Sequence, residues 1–262
     1  MSADVLRVSL LQQPLVWHEP AANRARFAEL LAPLAGQTDL VVLPETFTTG
    51  FSMEVELLGE AVGGDSVEWL KLQAARLGAA VTGSVITREG ERFYNRLLWA
   101  FPSGEVRHYD KRHLFRMGRE HEHFTPGQDA WSVSWRGMRI CPLVCYDLRF
   151  PVFSRRRAAL DYDLLIYVAN WPAARVEAWR WLLRARAIEN QSYVVGVNRT
   201  GSDGAGVSYA GDSVAIDFLG RTLCDLGAEA GIATVILDRA ALAAFRERFP
   251  AHLDADRFTL EP

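Results

Sequence analysis

The stretch RICPLVCYDLRFP, residues 139–151, is the part of this sequence that says most about its fold. It begins as an apolar run of β-favouring residues and turns polar and turn-like after Cys145. This pattern predicts a buried strand that carries one thiol to the rim of a sheet. Ligands of open α/β sheets usually bind beyond the carboxyl ends of the strands. Since free cysteine is also among the most buried residue types, core packing is the alternative interpretation.

Two other stretches place charged side chains directly after apolar runs. DLVVLPETF, residues 39–47, leads into Glu45, and a carboxylate there is costly to bury unless it is paired or takes part in chemistry. YDKRHLFRMGREHEHFTPG, residues 109–127, places Lys111 after a short strand and before an irregular segment rich in charge and histidine. Taken singly, a solvent-facing glutamate and a solvated surface lysine are the alternatives.

Composition limits the classes of protein to which the chain can belong. With 262 residues, 49% of them hydrophobic, and no linker-like block, it suits a single α/β domain over residues 1–262. Neither a signal peptide nor an 18-residue apolar run is evident, so we expect no membrane segment. Three cysteines, an odd number, argue against a disulfide framework and favour the reducing cytoplasm. The net charge of −3 argues against nucleic acid as a partner.

Apolar runs and helical patterns alternate along the chain. Strands are predicted over residues 5–11, 39–44, 79–87, 93–101, 105–109, 131–135, 138–145, 163–169, 193–198, 211–217 and 231–238. Helices are predicted over residues 21–35, 66–77, 152–160, 175–190 and 239–247. So many strands exceed what one open sheet usually holds, which predicts two packed sheets. In the helix over 175–190 we interpret Trp179 and Trp181 as packing residues.

The Glu, Lys and Cys motifs, in this order, resemble those of the nitrilase superfamily of carbon–nitrogen hydrolases. The motifs read LPETFTTGF, YDKRHLF and CPLVCYDLRFP, and the resemblance continues through YVANWP, RARAIENQSYVVGVNRTG and GDSVAIDFLG. It covers roughly the whole chain. The segments KRHLFRMGREHEHF, NWP and AIENQ are most similar to the bacterial omega-amidase (Nit-like) branch. That resemblance implies hydrolysis of the terminal amide of ω-amido-α-keto acids such as α-ketoglutaramate.

The resemblance also implies a fold and an assembly. The fold is a four-layer α-β-β-α sandwich, and the assembly is a homodimer or a larger homo-oligomer built through helix surfaces. The implied substrate is a small-molecule amide.

Amide hydrolysis requires a strong nucleophile, a proton donor for the leaving ammonia and stabilisation of an oxyanion. We expect Cys145 to attack and Glu45 to transfer the protons. Lys111 and the backbone N–H of Tyr146 would hold the oxyanion. In the family a second glutamate supports these residues, and it aligns with Glu120 or, because the histidine-rich run makes the alignment ambiguous, with Glu122.

Substrate-binding residues are predicted around the same strand ends. Arg149 either clamps the substrate carboxylate, which a guanidinium can bind bidentately, or forms a structural ion pair. Asn170 and Trp171 are expected at the end of the next strand, on the same rim. The remaining candidates are apolar side chains that could wall a pocket or pack in the core, namely Phe51, Phe115 and Met117.

Several alternatives remain open at this stage. A metal site could use cysteines and histidines close in sequence, but their spacing fits neither C-x-x-C nor H-E-x-x-H, so we predict no metal; these residues are Cys141, Cys145, His113, His121 and His123. A cysteine enzyme with His113 or His123 as its base is another alternative. Two further alternatives remain. The chain could be another hydrolase of the nitrilase superfamily, such as a nitrilase, an aliphatic amidase or a carbamoylase, or it could be a non-catalytic binding protein of the same fold. The proposed mechanism needs no cofactor.

Overall fold

Strands with apolar faces and helices with one apolar side give this chain a layered structure, seen here in a computed structural model. It describes residues 4–128 and 130–260; the other residues of the predicted domain, 1–3, 129 and 261–262, lie outside the described residues. The strands are β1 (Val5–Gln12), β2 (Leu40–Val42), β3 (Glu60–Ala61), β4 (Ala80–Glu89), β5 (Arg92–Ala100), β6 (Val106–Asp110), β7 (Val133–Trp135), β8 (Met138–Val144), β9 (Leu164–Val168), β10 (Tyr193–Val197), β11 (Thr200–Ser202), β12 (Ser208–Ala210), β13 (Val214–Ile216), β14 (Thr222–Asp225) and β15 (Gly231–Asp238).

The helices separate these strands along the chain. The α-helices are α1 (Pro20–Leu31), α2 (Val55–Leu58), α3 (Asp65–Leu77), α4 (Glu120–His123), α5 (Pro151–Ser154), α6 (Val176–Asn190) and α7 (Arg239–Arg248). Short 3-10 turns cover Ala32–Leu34, Arg116–Gly118, Cys145–Arg149, Ala173–Arg175 and Ala251–Leu253.

Two larger sheets form within the described residues. The first has the order β15-β1-β2-β4-β5-β6, with β3 beside β4; β1, β2 and β4 run parallel. The second has the order β14-β13-β10-β9-β8-β7, with β8, β9 and β10 parallel. Each sheet therefore has a parallel centre with antiparallel strands at its edges. The carboxyl ends of β2, β8 and β9 carry the segments singled out by the sequence.

The hydrophobic core explains the order of the layers. One buried cluster joins the inner faces of the two sheets and continues to α6 through Trp179, Leu183 and Ala187. A second cluster joins α1 and α3 to the outer face of the first sheet, with Phe27 and Leu70 fully or almost fully buried. The layers are thus helix, sheet, sheet and helix, which confirms the predicted four-layer α-β-β-α sandwich.

Two local predictions were wrong. The helix predicted over 152–160 ends at Ser154, because the backbone turns extended at Arg155 and the N–H of Arg156 bonds Asn190 Oδ1 instead. Trp179 is fully buried, as expected, but Trp181 is 65% exposed. Positions two apart on an α-helix point about 200° apart, so the two tryptophans cannot share one face.

No helix within residues 4–128 and 130–260 is both long and apolar enough to cross a membrane.

Candidate active site

Glu45 lies just beyond the carboxyl end of β2, in a tight turn. Its side chain is fully buried, and the next residue, Thr46, has a φ of 39°, a conformation that L-residues seldom adopt. Asn170, which follows β9 in the other sheet, secures this turn. Its backbone N–H donates to Glu45 Oε2 at 2.8 Å, and its side-chain amide donates to the Glu45 carbonyl at 2.6 Å. One carboxylate is therefore held by both sheets.

Lys111 follows β6 and points between two carboxylates. Its Nζ donates to Glu45 Oε1 at 2.8 Å and to both oxygens of Glu120, at 3.0 and 2.9 Å. All three side chains are fully inaccessible to solvent. Burial by itself would lower the pKa of Lys111, but the charges of Glu120 and Glu45 outweigh it and raise that pKa above its usual value. The ammonium therefore remains charged across the physiological pH range.

Glu120 and Glu122, the two candidates for a supporting glutamate, have different surroundings. Glu120 also accepts hydrogen bonds from Asn95 Nδ2 and from the backbone N–H of Phe115. Burial raises the pKa of the Glu120 carboxyl, and the charge of Lys111 opposes that rise. Glu122 is exposed and paired with Arg119. The structure thus places Glu120, and not Glu122, beside Lys111.

Cys145 begins the 3-10 turn that follows β8. Its φ of 43° is in the left-handed region, which costs a non-glycine residue on the order of 1–3 kcal/mol. It is 9% exposed and lies on a pocket wall, whereas Cys141, within β8, is fully buried. Burial, followed by the charge of Glu45, raises the pKa of the Cys145 thiol well above its usual value, and Lys111 opposes this rise. Burial and the charge of Glu45 thus both favour the protonated form of this thiol.

Asp147 secures the turn that carries Cys145, a role that the sequence reasoning missed. Its fully buried carboxylate accepts from the Val144 N–H at 3.0 Å, from the Tyr109 hydroxyl at 2.8 Å and from the His113 backbone N–H at 3.1 Å. These donors belong to the turn and to the segment around Lys111. The signal was present in the sequence, since an aspartate two residues after the thiol is a natural acceptor for the N–H groups of a turn.

A pocket of about 640 Å³ opens above Glu45, Lys111 and Cys145. Every side chain predicted to bind substrate lines it, as do the proposed apolar wall residues; they are Arg149, Asn170, Trp171, Phe51, Phe115 and Met117. Tyr146, whose N–H was expected to face the oxyanion, also lines it. The N–H groups at the start of a helical turn have no carbonyl partner within that turn, which suits this expectation.

The predicted binding residues differ in how free their side chains are. Both side-chain N–H groups of Asn170 are engaged, by the Glu45 carbonyl and by Thr46 Oγ1 at 3.0 Å, so this residue holds Glu45 in place. Trp171 is 3% exposed. Arg149 forms no ion pair within residues 4–128 and 130–260; its Cζ lies 5.0 Å from the Trp171 ring centroid. The ion-pair alternative for Arg149 is thus not supported.

Another part of the pocket wall comes from segments that carried no motif. Trp17 and His18 line the pocket, and their rings stack with centroids 4.2 Å apart. The tip of the β11–β12 hairpin completes this wall, and a Cβ atom at Gly204 would meet the Trp17 ring at 2.3 Å. Glycine is therefore required for the hairpin to close on Trp17. The sequence shows the glycine-rich run at 201–206 but not the tryptophan that it covers.

The histidine-based alternative finds no support in the geometry. Neither His113 nor His123 lines the pocket: His113 bonds Asp147 and stacks on Phe150 with ring centroids 3.9 Å apart, and His123 is exposed. Among the described side chains, no cluster of three or more His, Cys, Asp or Glu residues is arranged as metal ligands.

The site thus combines a thiol, a buried carboxylate and an ammonium group at the floor of one pocket. A carboxylate can accept the thiol proton, and the ammonium can stabilise negative charge on a substrate oxygen. These are the requirements for acyl transfer through a thioester.

Comparison with known proteins agrees with this chemistry. The family model for carbon–nitrogen hydrolases matches residues 7–247. The omega-amidase YafV of Escherichia coli K12 is 50% identical over 97% of this chain and 98% of its own length. The 2-oxoglutaramate amidase of Bacillus subtilis is 34% identical over 94% of this chain and 96% of its own length. A crystal structure of XC1258 from Xanthomonas campestris, a CN-hydrolase superfamily protein with an arsenic adduct in its active site, is similar with a TM-score of 0.96 and 53% identity, covering 98% of this chain and 99% of that one.

Proposed function

This chain belongs to the carbon–nitrogen hydrolase family, and on this premise we propose that it is an amidase that hydrolyses the terminal carboxamide of ω-amido-α-keto acids, such as α-ketoglutaramate, to the keto acid and ammonia. The observation that carries the proposal is the contact of Lys111 with both Glu45 and Glu120 at the floor of the pocket that Cys145 lines. The names of the Escherichia coli and Bacillus subtilis relatives support the substrate class.

The first half-reaction forms a thioester. Glu45 accepts the Cys145 proton as the sulfur attacks the carboxamide carbon, because the raised pKa of the thiol leaves little thiolate beforehand. The carbonyl oxygen becomes an oxyanion, held by the Lys111 ammonium and the Tyr146 N–H. When the tetrahedral intermediate collapses, the C–N bond breaks and Glu45 returns the proton to the leaving nitrogen, which departs as ammonia.

The second half-reaction releases the acid. Glu45 takes a proton from a water molecule, and the resulting hydroxide attacks the thioester carbon. The C–S bond then breaks, the proton returns to the Cys145 sulfur and the keto acid leaves. Glu120 fixes the Lys111 ammonium and balances its charge throughout. Losing one oxyanion donor typically costs about 100- to 1000-fold in turnover.

Arg149 supports selection of a substrate with a carboxylate. Its guanidinium lines the pocket, stacks over Trp171 and has no acidic partner within the described ranges 4–128 and 130–260. A guanidinium binds a carboxylate through two parallel N–H donors. A neutral aliphatic amide or nitrile would leave this charge without a partner.

The test is ammonia release from α-ketoglutaramate, measured beside glutamine, a simple nitrile and an N-carbamoyl amino acid. Selective release from the keto-acid amide is expected, with loss in Cys145→Ala and near-complete loss in Glu45→Gln. Cys224→Ser is the matched control, because Cys224 is a thiol on the edge strand β14 that does not line the pocket. Release from another substrate only would move the enzyme to a different branch, and activity in Cys145→Ala would overturn the mechanism.

We also propose a single domain over residues 1–262, a homodimer or larger homo-oligomer, and a cytoplasmic location. Pairing of β1 with β15 supports the single domain, because it joins the two ends of the chain. Exposed Trp181 and Ile188 on α6 support assembly through a helix surface, and free thiols support a reducing compartment. Light scattering would give the mass in solution; a monomer at micromolar concentration would contradict the assembly.

A further inference from the structure

A second arginine, Arg175, lines the same pocket and carried no signal in the sequence. It immediately precedes α6, and its Cζ lies 5.2 Å from the Phe115 ring centroid. Its remaining side-chain contact is with Met117, where Nη1 lies 4.0 Å from Sδ. Arg175 forms no ion pair with any residue in the ranges 4–128 and 130–260. A guanidinium is always charged, so an unpaired one on a pocket wall is available to an anion.

Trp171 contacts both Arg175 and Arg149, and all three residues line the pocket. The indole Nε1–H donates to the Arg175 carbonyl at 2.8 Å, and the face of the same ring lies under the Arg149 guanidinium. The Arg175 N–H donates in turn to the Pro172 carbonyl at 3.0 Å. Trp171 therefore holds the backbone of Arg175 and the guanidinium of Arg149, while the Arg175 guanidinium itself rests over the Phe115 ring. A side chain that is already ordered loses less conformational entropy when a ligand binds.

Within residues 4–128 and 130–260, the acidic side chains that line the pocket form no ion pair with Arg149 or Arg175. Glu45 is engaged by Lys111 and Asn170. Asp203 caps its own hairpin, accepting from two backbone N–H groups and from the Tyr209 hydroxyl. Glu54, the other acidic lining residue, is exposed. Among residues 4–128 and 130–260, neither arginine therefore has an acidic side chain within ion-pair distance, and both guanidinium groups are left to bind a ligand carboxylate.

We propose that Arg175 acts with Arg149 as a two-arginine clamp on the keto-acid end of the substrate, and that Arg175 is a specificity-determining residue. The inference rests on the proposed function. A 2-oxo acid presents three acceptor oxygens on adjacent carbons, two from the carboxylate and one from the ketone. One guanidinium fork is filled by the carboxylate, and the second can bind the ketone oxygen and one carboxylate oxygen together. The pair therefore favours amides of 2-oxo acids over plain dicarboxylic monoamides, and both over neutral amides.

The kinetic test compares Arg149→Gln, Arg175→Gln and Arg175→Lys on α-ketoglutaramate, succinamate and butanamide. A hydrogen-bonded charge pair is worth about ten- to hundredfold in binding, so Arg175→Gln should raise KM for α-ketoglutaramate by this factor, with a smaller rise for succinamate and little change in kcat. The rate with butanamide should not fall. Arg175→Lys should recover only part of the loss, because an ammonium has no fork. Arg116→Gln, an exposed arginine outside the pocket lining, is the control.

A binding test keeps the inference separate from catalysis. In the Cys145→Ala background, Arg175→Gln should weaken binding of 2-oxoglutarate, the acid that the reaction would release, by about ten- to hundredfold in titration calorimetry. The double variant with Arg149→Gln should show coupling between the two sites, since both contact one group. Unchanged affinity, or an equal loss of activity on butanamide, would overturn the clamp. If the unmodified enzyme does not hydrolyse α-ketoglutaramate, the proposed function fails first and the clamp fails with it.

Discussion

The Asp147 carboxylate lies 2.7 Å from Nδ1 of His113, and through this contact the turn that carries Cys145 is joined to the segment that carries Lys111. Since a carboxylate accepts, Nδ1 of this histidine carries the proton. The His113 ring also stacks on Phe150, the residue that follows the turn, so His113 contacts this segment at two points. Cys145 and the Lys111 ammonium are thereby held relative to each other by a residue that does not line the pocket.

Asp147→Asn should lower both stability and turnover. Its two oxygens accept from four N–H and O–H donors. In asparagine one of these oxygens is replaced by an NH2 group, which is a donor and would face the donors that this oxygen now accepts from. We expect a loss of about 2–4 kcal/mol in the free energy of unfolding, measured in urea, and a fall in kcat as the Cys145 turn shifts. Asp217→Asn is the control, because the carboxylate of this half-buried aspartate accepts from two N–H groups of its own turn, and it should change stability by less than about 1 kcal/mol. Equal effects of the two variants would contradict the proposed role of Asp147.

Lys111→Met should abolish turnover and also destabilise the fold at neutral pH. The substitution leaves the carboxylates of Glu45 and Glu120 buried without the cation that they share. Removing one partner of a buried ion pair typically lowers the free energy of unfolding by about 3–5 kcal/mol. Lowering the pH should recover part of the stability, because protonation removes the buried negative charge. The double variant with Glu120→Gln should be more stable than Lys111→Met alone and remain inactive.

Thermal unfolding and ammonia release measure the two effects separately. Lys71→Met is the control, since Lys71 forms a partly exposed pair with Glu68. Activity in the stabilised double variant would show that Lys111 has only a structural role.

Alkylation of Cys145 by iodoacetamide should be slow at neutral pH and accelerate as the pH rises. Burial raises the pKa of this thiol, so the thiolate fraction at pH 7 is smaller than in a free cysteine and increases toward alkaline pH. Mass spectrometry of the intact protein gives the rate, with glutathione as the reference thiol. Cys224→Ser removes the background from the other partly accessible cysteine. Labelling faster than glutathione at pH 7 would show that the free site holds a thiolate.

Asp163→Asn should destabilise the enzyme at neutral pH, with an effect that diminishes in acid. Burial alone would raise the pKa of Asp163, but hydrogen bonds and charge from Arg139, together with the charge of Arg246, lower it below its usual value. A carboxyl with a lowered folded pKa stabilises the protein above its unfolded pKa, near 4, and this contribution is lost as the pH falls through the folded value.

Equilibrium unfolding between pH 2 and 7 measures this difference. At pH 7 we expect Asp163→Asn to lower the free energy of unfolding by about 3 kcal/mol, because the buried pair with Arg246 is broken. This loss should become smaller below about pH 4, as the pH falls toward the lowered pKa of the native aspartate. Asp65→Asn, at a side chain 84% exposed, should have almost no effect at any pH. If the difference in unfolding free energy between the unmodified protein and Asp163→Asn did not change with pH, the charge of Asp163 would not contribute to stability.

The sequence alone predicted the layered fold and the residues that converge on the pocket floor. Its strands are short apolar runs followed by one conspicuous polar residue, and such local patterns show where each strand ends. Lys111 and Cys145 directly follow β6 and β8, and Glu45 follows β2 after Leu43 and Pro44. These positions, together with the resemblance of the three motifs to the nitrilase superfamily, allowed the residues to be named. The helix predicted over 152–160 was wrong because its end is decided by a tertiary contact, from Arg156 to Asn190.

Only the tertiary structure decided which polar groups meet. Glu120 rather than Glu122 bonds Lys111, Asn170 bonds Glu45, and Trp171 contacts both the Arg175 carbonyl and the Arg149 guanidinium. These contacts join residues from both sheets or from loops without motifs, and sequence periodicity carries information about the direction of a side chain within its own element only. The sequence therefore determined the chemistry that is available, and the packing of the two sheets determined the geometry in which it can act.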